Sequence, residues 1–298
     1  MKTNKIFISA FALSLAFASF TGCSSDSNSL PPIGGYDNAG QVGETDLVAY
    51  WPLNGNGKES KSNTSPSATV GASYEAAIKG DGLKLTEGYL AYPEITALSS
   101  TMASMSVSLW AKISNNGGAD GHPTMLFSLT RPNEWAGNFN LMSETGWRTV
   151  ASDTLVMKGL AVVKNGDGSA NFQDIINTTN PSVDDIAAGH VGFANKNAGV
   201  WAHYVITWDS TTALFKVYAN GQKISNPVWE SRNGGTALPL NFFTPAKPVI
   251  GTFATVVSGT PDAWQRPMNG SIDEIRVWKK ALSAADINSL YELELAGR

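Results

Sequence analysis

The strongest constraint on the fold is a two-residue periodicity of apolar side chains, which recurs in short segments along most of the chain. It is clearest at residues 105–113, where Met105 and Val107 begin a run of alternating apolar positions. This alternation places apolar side chains on one face of a β-strand. Gly, Asn and Pro separate the segments, and Asn220-Gly221 is typical of a hairpin turn. We therefore predict an all-β fold, in which two antiparallel sheets pack as a sandwich.

One helix is predicted, at the C-terminus of the chain. Ser283 is a suitable N-cap residue, and Asp286 stands at the third helical position. Ile287, Leu290 and Tyr291 then form an apolar stripe with helical spacing. We expect this short helix to pack on an edge of the sandwich.

The composition excludes several classes of protein. Of the 298 residues, 42% are hydrophobic and 15% are charged, and the formal net charge is −4. Disordered chains and coiled coils are much richer in charged residues. The sequence also lacks the cluster of lysines and arginines that forms the electropositive surface of nucleic-acid-binding proteins. We therefore predict a globular protein with no nucleic acid partner.

The N-terminus resembles the signal peptide of a bacterial lipoprotein. Lys2 and Lys5 precede an uncharged, apolar run at residues 6–20, which is too short for an ordinary membrane span. Cys23 is the only cysteine, and it follows Thr-Gly as the cysteine of a lipobox follows small residues. We predict a signal peptide at residues 1–22 and lipidation of Cys23, which makes the lipid the only membrane anchor.

Residues 23–45 are rich in Ser, Gly, Pro and Asn, so we predict a flexible tether there. Its start, Ser24-Ser25-Asp26, resembles the surface-export tag of Bacteroidota lipoproteins. The predicted location is the cell envelope, on the outer membrane, with the periplasmic and the surface leaflet both open. Residues 46–298 form one predicted domain, and lipidation of the single cysteine leaves no disulfide to stabilise it.

Several motifs of this domain resemble those of the laminin-G-like jelly roll in the concanavalin A-like lectin/glucanase superfamily, and they occur in the same order. They are an opening strand and turn at 47–56, a strand at 107–112, a Trp-x-His strand at 201–209, a Tyr-x-Asn-Gly hairpin at 218–221, and a closing strand at 270–278. The resemblance covers residues 46–291 and implies a concanavalin A-like jelly roll. It also matches His203 to the family's strand histidine, for which we expect a hydrogen-bonded packing role.

The resemblance implies a structural calcium ion as well. Members of the family often hold one between an Asp of the closing strand and carbonyl groups near the opening turn. Asp273 and Asn54 occupy those positions, and calcium prefers carboxylate and carbonyl oxygens. The alternative is that Asp273 only accepts backbone hydrogen bonds at its strand.

Four tryptophans fall in predicted loops, where a large ring either binds a ligand or closes an end of the sandwich. They are Trp135, Trp147, Trp229 and Trp264. Arg232 and Arg266 stand close in sequence to two of them. Aromatic rings flanked by polar side chains are typical of sugar-binding grooves. We predict these six residues as ligand contacts.

Hydrolases of the superfamily carry Glu-x-Asp-x-x-Glu on their active strand, and this motif is absent from the sequence. We therefore predict a lipid-anchored cell-envelope protein that binds an oligo- or polysaccharide and has no catalysis of its own. Two alternatives stay open: a glycoside hydrolase with non-standard acids, and a protein-interaction or adhesion module. The sequence designates no catalytic residue and no protein partner.

Overall fold

One antiparallel sheet curls until its two halves face each other. The computed structural model describes residues 30–100 and 102–298. In those residues the strands are β1 (Leu47–Trp51), β2 (Ala68–Ala76), β3 (Asp81–Ala91), β4 (Met105–Lys112), β5 (Thr124–Arg131), β6 (Glu134–Ser143), β7 (Met157–Lys164), β8 (Ala170–Ile176), β9 (Ala202–Asp209), β10 (Leu214–Ala219), β11 (Gln222–Lys223), β12 (Pro248–Ile250) and β13 (Met268–Trp278). The α-helices are α1 (Thr96–Ser99), α2 (Val183–Ala187), α3 (Pro227–Glu230), α4 (Ala254–Val257) and α5 (Ala284–Leu295).

The hydrogen-bonded strand order is β11-β10-β9-β4-β13-β3-β12-β5-β6-β7-β8, with β1 paired to β13 and β2 paired to β3. Ring contacts show the two halves stacked face to face. The ring centroids of Phe139 in β6 and Phe215 in β10 are 5.6 Å apart, and those of Trp51 in β1 and Phe127 in β5 are 5.8 Å apart. Apolar side chains from both inner faces form the core between them. The predicted all-β sandwich is confirmed.

The strand tryptophans divide into buried and half-buried residues. Trp51, Trp110, Trp208 and Trp278 are buried, as expected for core positions. Trp201 is half-buried, because it stands just before β9. Alternation therefore identifies the core rings inside strands more reliably than those at strand ends.

The folded unit begins earlier than the sequence predicts. It spans residues 32–298, whereas composition indicates a flexible tether over 23–45. We call residues 32–46 the N-terminal strap. The predicted signal peptide at 1–22, the lipidation site Cys23 and the tether as far as residue 29 lie outside the described residues.

The N-terminal strap packs against α5 and the end of β13. Ala39 and Val42 are buried in the same cluster as the apolar face of α5. The Tyr36 hydroxyl donates a hydrogen bond of 2.7 Å to Asp286 at the start of α5. Trp278 Nε1 donates to the carbonyl of Val42 at 3.0 Å. These contacts order a segment whose composition alone predicts flexibility.

The C-terminal helix forms as predicted. Ser283 Oγ accepts a hydrogen bond of 3.1 Å from the backbone N–H of Asp286, which caps the first turn. The apolar stripe of α5 is buried, and Tyr291 stacks on Trp110 with 5.6 Å between ring centroids. No helix in the described part of the chain has both the length and the apolar character needed to cross a membrane.

A buried ionic network lies between α5 and the sheet. Arg276 of β13 contacts Glu274 through Nη2 at 2.6 Å and Glu294 of α5 through Nη1. Tyr50 donates to Glu274 at 2.8 Å, and Trp110 Nε1 donates to Glu294 at 2.7 Å. The three charged side chains are at most 2% exposed. Because an unpaired buried charge is strongly unfavourable, the network holds α5 in one position.

His203 lies beside this network as an uncharged side chain. It is fully buried, and its Nε2 atom lies 2.7 Å from the Ser108 hydroxyl. Burial, with a smaller contribution from Arg276, lowers the pKa of His203 to about 3. Its 3.7 Å approach to Glu294 is therefore not an ion pair at neutral pH. The expected hydrogen-bonded packing role of His203 is confirmed.

We expect Arg276→Met to lower the free energy of unfolding by about 3–5 kcal/mol, because Glu274 and Glu294 then remain buried without a counter-charge. Urea unfolding followed by tryptophan fluorescence measures the loss. Lys279→Met changes an exposed neighbour and should shift the same free energy by less than about 0.5 kcal/mol. A loss for Arg276→Met as small as that of the control would show that the network does not stabilise the fold.

Candidate functional site

An open, polar groove lies where β2, β3, β13 and β4 are neighbours. It has two adjoining compartments, because His122 and Asn269 line both. The first, called the lysine compartment, has a volume of about 420 Å³ and is lined by Glu75, Lys84, Leu85, Lys112, Ser114, Asn115, Asn116, His122, Thr124, Gly199, Asn269, Gly270 and Ser271. The second, called the arginine compartment, has a volume of about 460 Å³ and is lined by Glu87, Asp120, His122, Arg266, Pro267 and Asn269.

The floor of the lysine compartment is a row of side chains that crosses three strands. The register pairs Ser271 of β13 with Lys84 of β3 on one side and with Lys112 of β4 on the other. The chain neighbours Leu83 and Ile272 are buried in the core. Because successive side chains of a strand point to opposite faces, the row points away from the core. The two lysines therefore stand on either side of Ser271.

Glu75 of β2 joins this row. Its carboxylate accepts hydrogen bonds from Lys112 Nζ at 3.0 Å and from the Ser271 hydroxyl at 2.8 Å, and it pairs with Lys84 Nζ at 3.2 Å. The hydrogen bond from Lys112 contributes most to a lowering of the Glu75 pKa to about 2. At neutral pH the floor thus carries two positive charges and one negative charge.

Asn115 supplies a buried acceptor to the wall of the groove. Its Nδ2 atom donates to the backbone carbonyls of Ser152 and Thr154, each at 2.9 Å. Both amide hydrogens are used, so the orientation of the amide is fixed. Asn115 is 3% exposed, and its Oδ1 atom accepts no hydrogen bond from any described residue. Leaving this buried atom without a donor costs about 1–3 kcal/mol, and Asn115 belongs to the lining of the lysine compartment.

His122 completes the wall, and a neighbouring loop carries an exposed tryptophan. His122 Nδ1 donates to the backbone carbonyl of Asp120 at 2.8 Å, which leaves Nε2 for another partner. Gly146 packs closely against the loop of His122. A Cβ atom on Gly146 would lie 2.5 Å from the backbone nitrogen of His122. The next residue, Trp147, is 61% exposed. The loop beside His122 therefore carries an exposed aromatic ring.

The structure does not bring the six predicted ligand residues into one site. Arg266 lines the arginine compartment, and Trp147 lies in the loop that adjoins the groove. Trp229 and Arg232 line a separate pocket of about 280 Å³, in which Asp174 lies 3.9 Å from Arg232. Ligand binding by these four residues stays a prediction.

Trp135 and Trp264 form an aromatic cluster with Phe253. The ring centroids of the two tryptophans are 5.2 Å apart at 82°, and those of Trp264 and Phe253 are 5.2 Å apart at 79°. Trp264 is 37% exposed, and Trp135 is half-buried. Both functions expected of a loop tryptophan, closing the sandwich and binding a ligand, stay open for this pair.

Asn54 and Asp273 both contact the turn between β2 and β3. Asn54 Oδ1 accepts from the backbone N–H of Asp81 at 2.7 Å. The Asp273 carboxylate accepts from the backbone N–H groups of Lys79 at 3.1 Å and Glu274 at 2.9 Å, and burial raises its pKa to about 7. No group of three or more His, Cys, Asp or Glu side chains among the described residues is arranged to hold a metal. A calcium ion at this turn would therefore need backbone carbonyls as additional ligands.

Sequence reasoning missed most of the groove. Glu75, Lys84, Lys112 and Ser271 come from four strands, and no local motif links them. The one available signal is alternation, which directs Lys84 and Lys112 away from the apolar face of their strands. Asn115 carries no local signal, because its burial results from contacts with a distant loop.

The motif order and the fold agree with a comparison against protein families. The family model Laminin_G_3, described as the concanavalin A-like lectin/glucanases superfamily, matches residues 85–288. The chain belongs to this superfamily. A comparison with curated protein sequences finds no match. The match includes β4, β13 and β3 from Leu85 onward, whereas β2 and Lys84 of the groove floor lie before it.

Solved binding domains of botulinum neurotoxins have a similar fold. The binding domain of botulinum neurotoxin serotype G is similar with a TM-score of 0.54 and 9% identity, over 84% of this chain and 51% of that one. The binding domain of botulinum neurotoxin DC in complex with rat synaptotagmin II has a TM-score of 0.52 and 13% identity, over 85% of this chain and 52% of that one. The same domain in complex with SialylT has a TM-score of 0.50 and 14% identity, over 85% of this chain and 52% of that one. Domain 4 of AbnA, a GH43 extracellular arabinanase from Geobacillus stearothermophilus, in complex with arabinotriose, has a TM-score of 0.48 and 18% identity. That comparison covers 83% of this chain and 98% of that one. This chain spans about half the length of the neurotoxin binding domains.

Glu75 makes the stability of the protein depend on pH. Its pKa is lower in the folded chain than its ordinary value of 4.5, so its ionised form stabilises the fold above that pH. This contribution is lost as the pH falls from 4.5 to about 2. We expect the difference in unfolding free energy between wild type and Glu75→Gln to be present near neutral pH and to vanish near pH 2. Urea unfolding at a series of pH values measures it, and a difference that does not vary with pH would contradict the assignment.

Proposed function

We propose that this protein binds an oligo- or polysaccharide in the groove, as a lipid-anchored protein of the cell envelope without catalysis of its own. The observation that carries the proposal is the lining of the groove. It presents the side chains of Asn115, His122 and Asn269 and two lysines, and the loop beside it carries the exposed Trp147. Saccharides offer hydroxyl groups to such polar side chains and C–H faces to aromatic rings.

The superfamily supports this proposal by analogy. Its name includes lectins, and the botulinum neurotoxin DC domain with the same fold has been solved with SialylT. Fold alone does not determine function, so the argument rests on the groove. Acceptors, donors and charges from β2, β3, β4, β5 and β13 and from the adjoining loops converge in this groove.

We test the proposal with variants of the groove. Binding to a panel of oligosaccharides is measured first on an array and then by calorimetry. His122→Ala, Asn269→Ala and Trp147→Ala should each weaken binding by about tenfold, which corresponds to about 1.4 kcal/mol. Trp229→Ala removes a tryptophan from the separate pocket and should leave the affinity unchanged.

Each other result of this experiment has a definite meaning. Loss of binding only in Trp229→Ala would move the site to the second pocket. Release of new reducing ends would make the protein a hydrolase. Binding that needs calcium and disappears in Asp273→Asn would support the predicted calcium ion, whereas equal binding in calcium and in EDTA would count against a role for it. Failure to bind any saccharide would overturn the proposal.

The anchor is a separate part of the proposal and rests on the sequence around Cys23. We expect cells that produce the full chain to incorporate labelled palmitate into it, because the lipobox-like Thr-Gly-Cys places the cysteine where lipoproteins are acylated. Cys23→Ser should abolish the label and release the protein from the membrane fraction. Unchanged membrane association of Cys23→Ser would contradict a lipid anchor at this residue.

One observation favours a protein-interaction role as the second candidate. Four exposed apolar side chains lie on α2, on α3 and in the loop after α2. They are Val183, Ile186, Val191 and Val228, of which Val183 is 83% exposed. Val183 and Ile186 are three residues apart on α2 and so share one face of it, and contiguous exposed apolar groups are typical of interaction surfaces. The binding domain of botulinum neurotoxin DC, half of which is covered by the similarity, has been solved in complex with rat synaptotagmin II.

A further inference from the structure

We infer that the groove selects an acidic saccharide, in which a sugar carboxylate faces Lys84 and Lys112 while a hydroxyl donates to Asn115. The inference rests on the proposed saccharide binding and specifies the class of sugar. It combines the charge of the floor, the donors left on the two lysines, and the fixed acceptor in the wall.

The floor of the lysine compartment has a positive charge in excess. Glu75 is the one carboxylate among the residues that line this compartment, and it faces two lysines. Each ammonium group has three N–H donors and directs one toward Glu75, so further donors remain for a ligand. Hydrogen bonds between an ammonium group and a carboxylate are stronger than neutral ones. A second carboxylate, brought by the ligand, balances the excess charge.

The lysines are held in place before any ligand arrives. Glu75 bridges Lys84 and Lys112, and the Ser271 hydroxyl between them also donates to Glu75. Lys112 Nζ additionally lies 5.5 Å from the ring centroid of Trp201, within the range of a cation–π contact. Positions fixed in this way reduce the conformational entropy that ligand binding must remove.

Asn115 favours a ligand that carries a hydroxyl group over a simple anion. Its buried Oδ1 atom needs a donor, and its amide cannot turn because both hydrogens are bound. A sulfate or acetate ion has no hydroxyl to donate at neutral pH, whereas an acidic sugar carries hydroxyls beside its carboxylate. The arginine compartment, lined by Glu87, Asp120 and Arg266, has no positive excess, so the carboxylate is directed to the lysine compartment.

The test compares a uronate oligosaccharide with its carboxyl-reduced counterpart, which has the same linkages but is neutral. Calorimetry on the full chain should show the acidic form bound at least about tenfold more tightly at low salt, with the difference reduced by added NaCl. Lys84→Met and Lys112→Met should each reduce this preference. Lys58→Met removes an exposed lysine outside the groove and is the matched control, which should leave the preference unchanged.

The outcomes separate this inference from the proposed function. Equal affinity for the two forms, with binding still lost in His122→Ala, would overturn the acidic preference and leave saccharide binding in the groove intact. Tighter binding of the neutral form would overturn it as well. If neither form nor any other saccharide binds, both proposals fail. Melting temperatures of all variants confirm that each remains folded.

Discussion

The buried charge of Arg276 determines how the last strand and the last helix fit together. Removing a guanidinium group from water costs several kcal/mol, and only close counter-charges offset this cost. Glu274 and Glu294 supply them, one from β13 itself and one from α5. Because Glu294 must stay in contact with Arg276, α5 cannot slide along the sheet. The N-terminal strap in turn packs on α5, so its order depends on the same ion pairs.

An irregularity in β13 makes this arrangement possible. The register with β4 shifts between Asp273 and Arg276, and Glu274 has a φ of 52°. Such a bulge changes the alternation of the strand, so that Ile272 and Ile275 both enter the core although they are three residues apart. The same strand provides Ser271 to the groove floor before the bulge. β13 therefore connects the stability of the α5 side with the geometry of the binding groove.

Much of the fold follows from the sequence, because alternation and capping are local properties. β4 and α5 appear where the pattern predicts them, and so does the turn at Asn220-Gly221. β2 escapes prediction, since it is half-exposed and built largely of Ala, Ser, Gly and Thr, which give no apolar alternation. The order of the strap is not predicted either, because its glycines and its proline suggest a flexible segment. Its apolar residues nevertheless recur at intervals of three, from Ile33 to Val42, and they face α5.

The site is much less accessible to sequence reasoning than the fold. The tryptophans mark plausible ligand contacts one by one, but the structure separates Trp229 from Trp147 and pairs Trp135 with Trp264. The groove floor depends on the register of four strands, which tertiary pairing decides. The register cannot be predicted from the local sequence of any one strand. Lys84 and Lys112 therefore read as ordinary surface residues until the strands are placed side by side.

The central claim is that the groove binds a saccharide. A crystal structure of the protein in complex with an oligosaccharide that it binds tests this claim most directly. The account predicts a sugar ring in the lysine compartment, with a hydroxyl within hydrogen-bond distance of Asn115 Oδ1 and an acidic group beside Lys84 and Lys112. A saccharide found instead in the pocket of Trp229 and Arg232, with the groove occupied only by solvent, would contradict it.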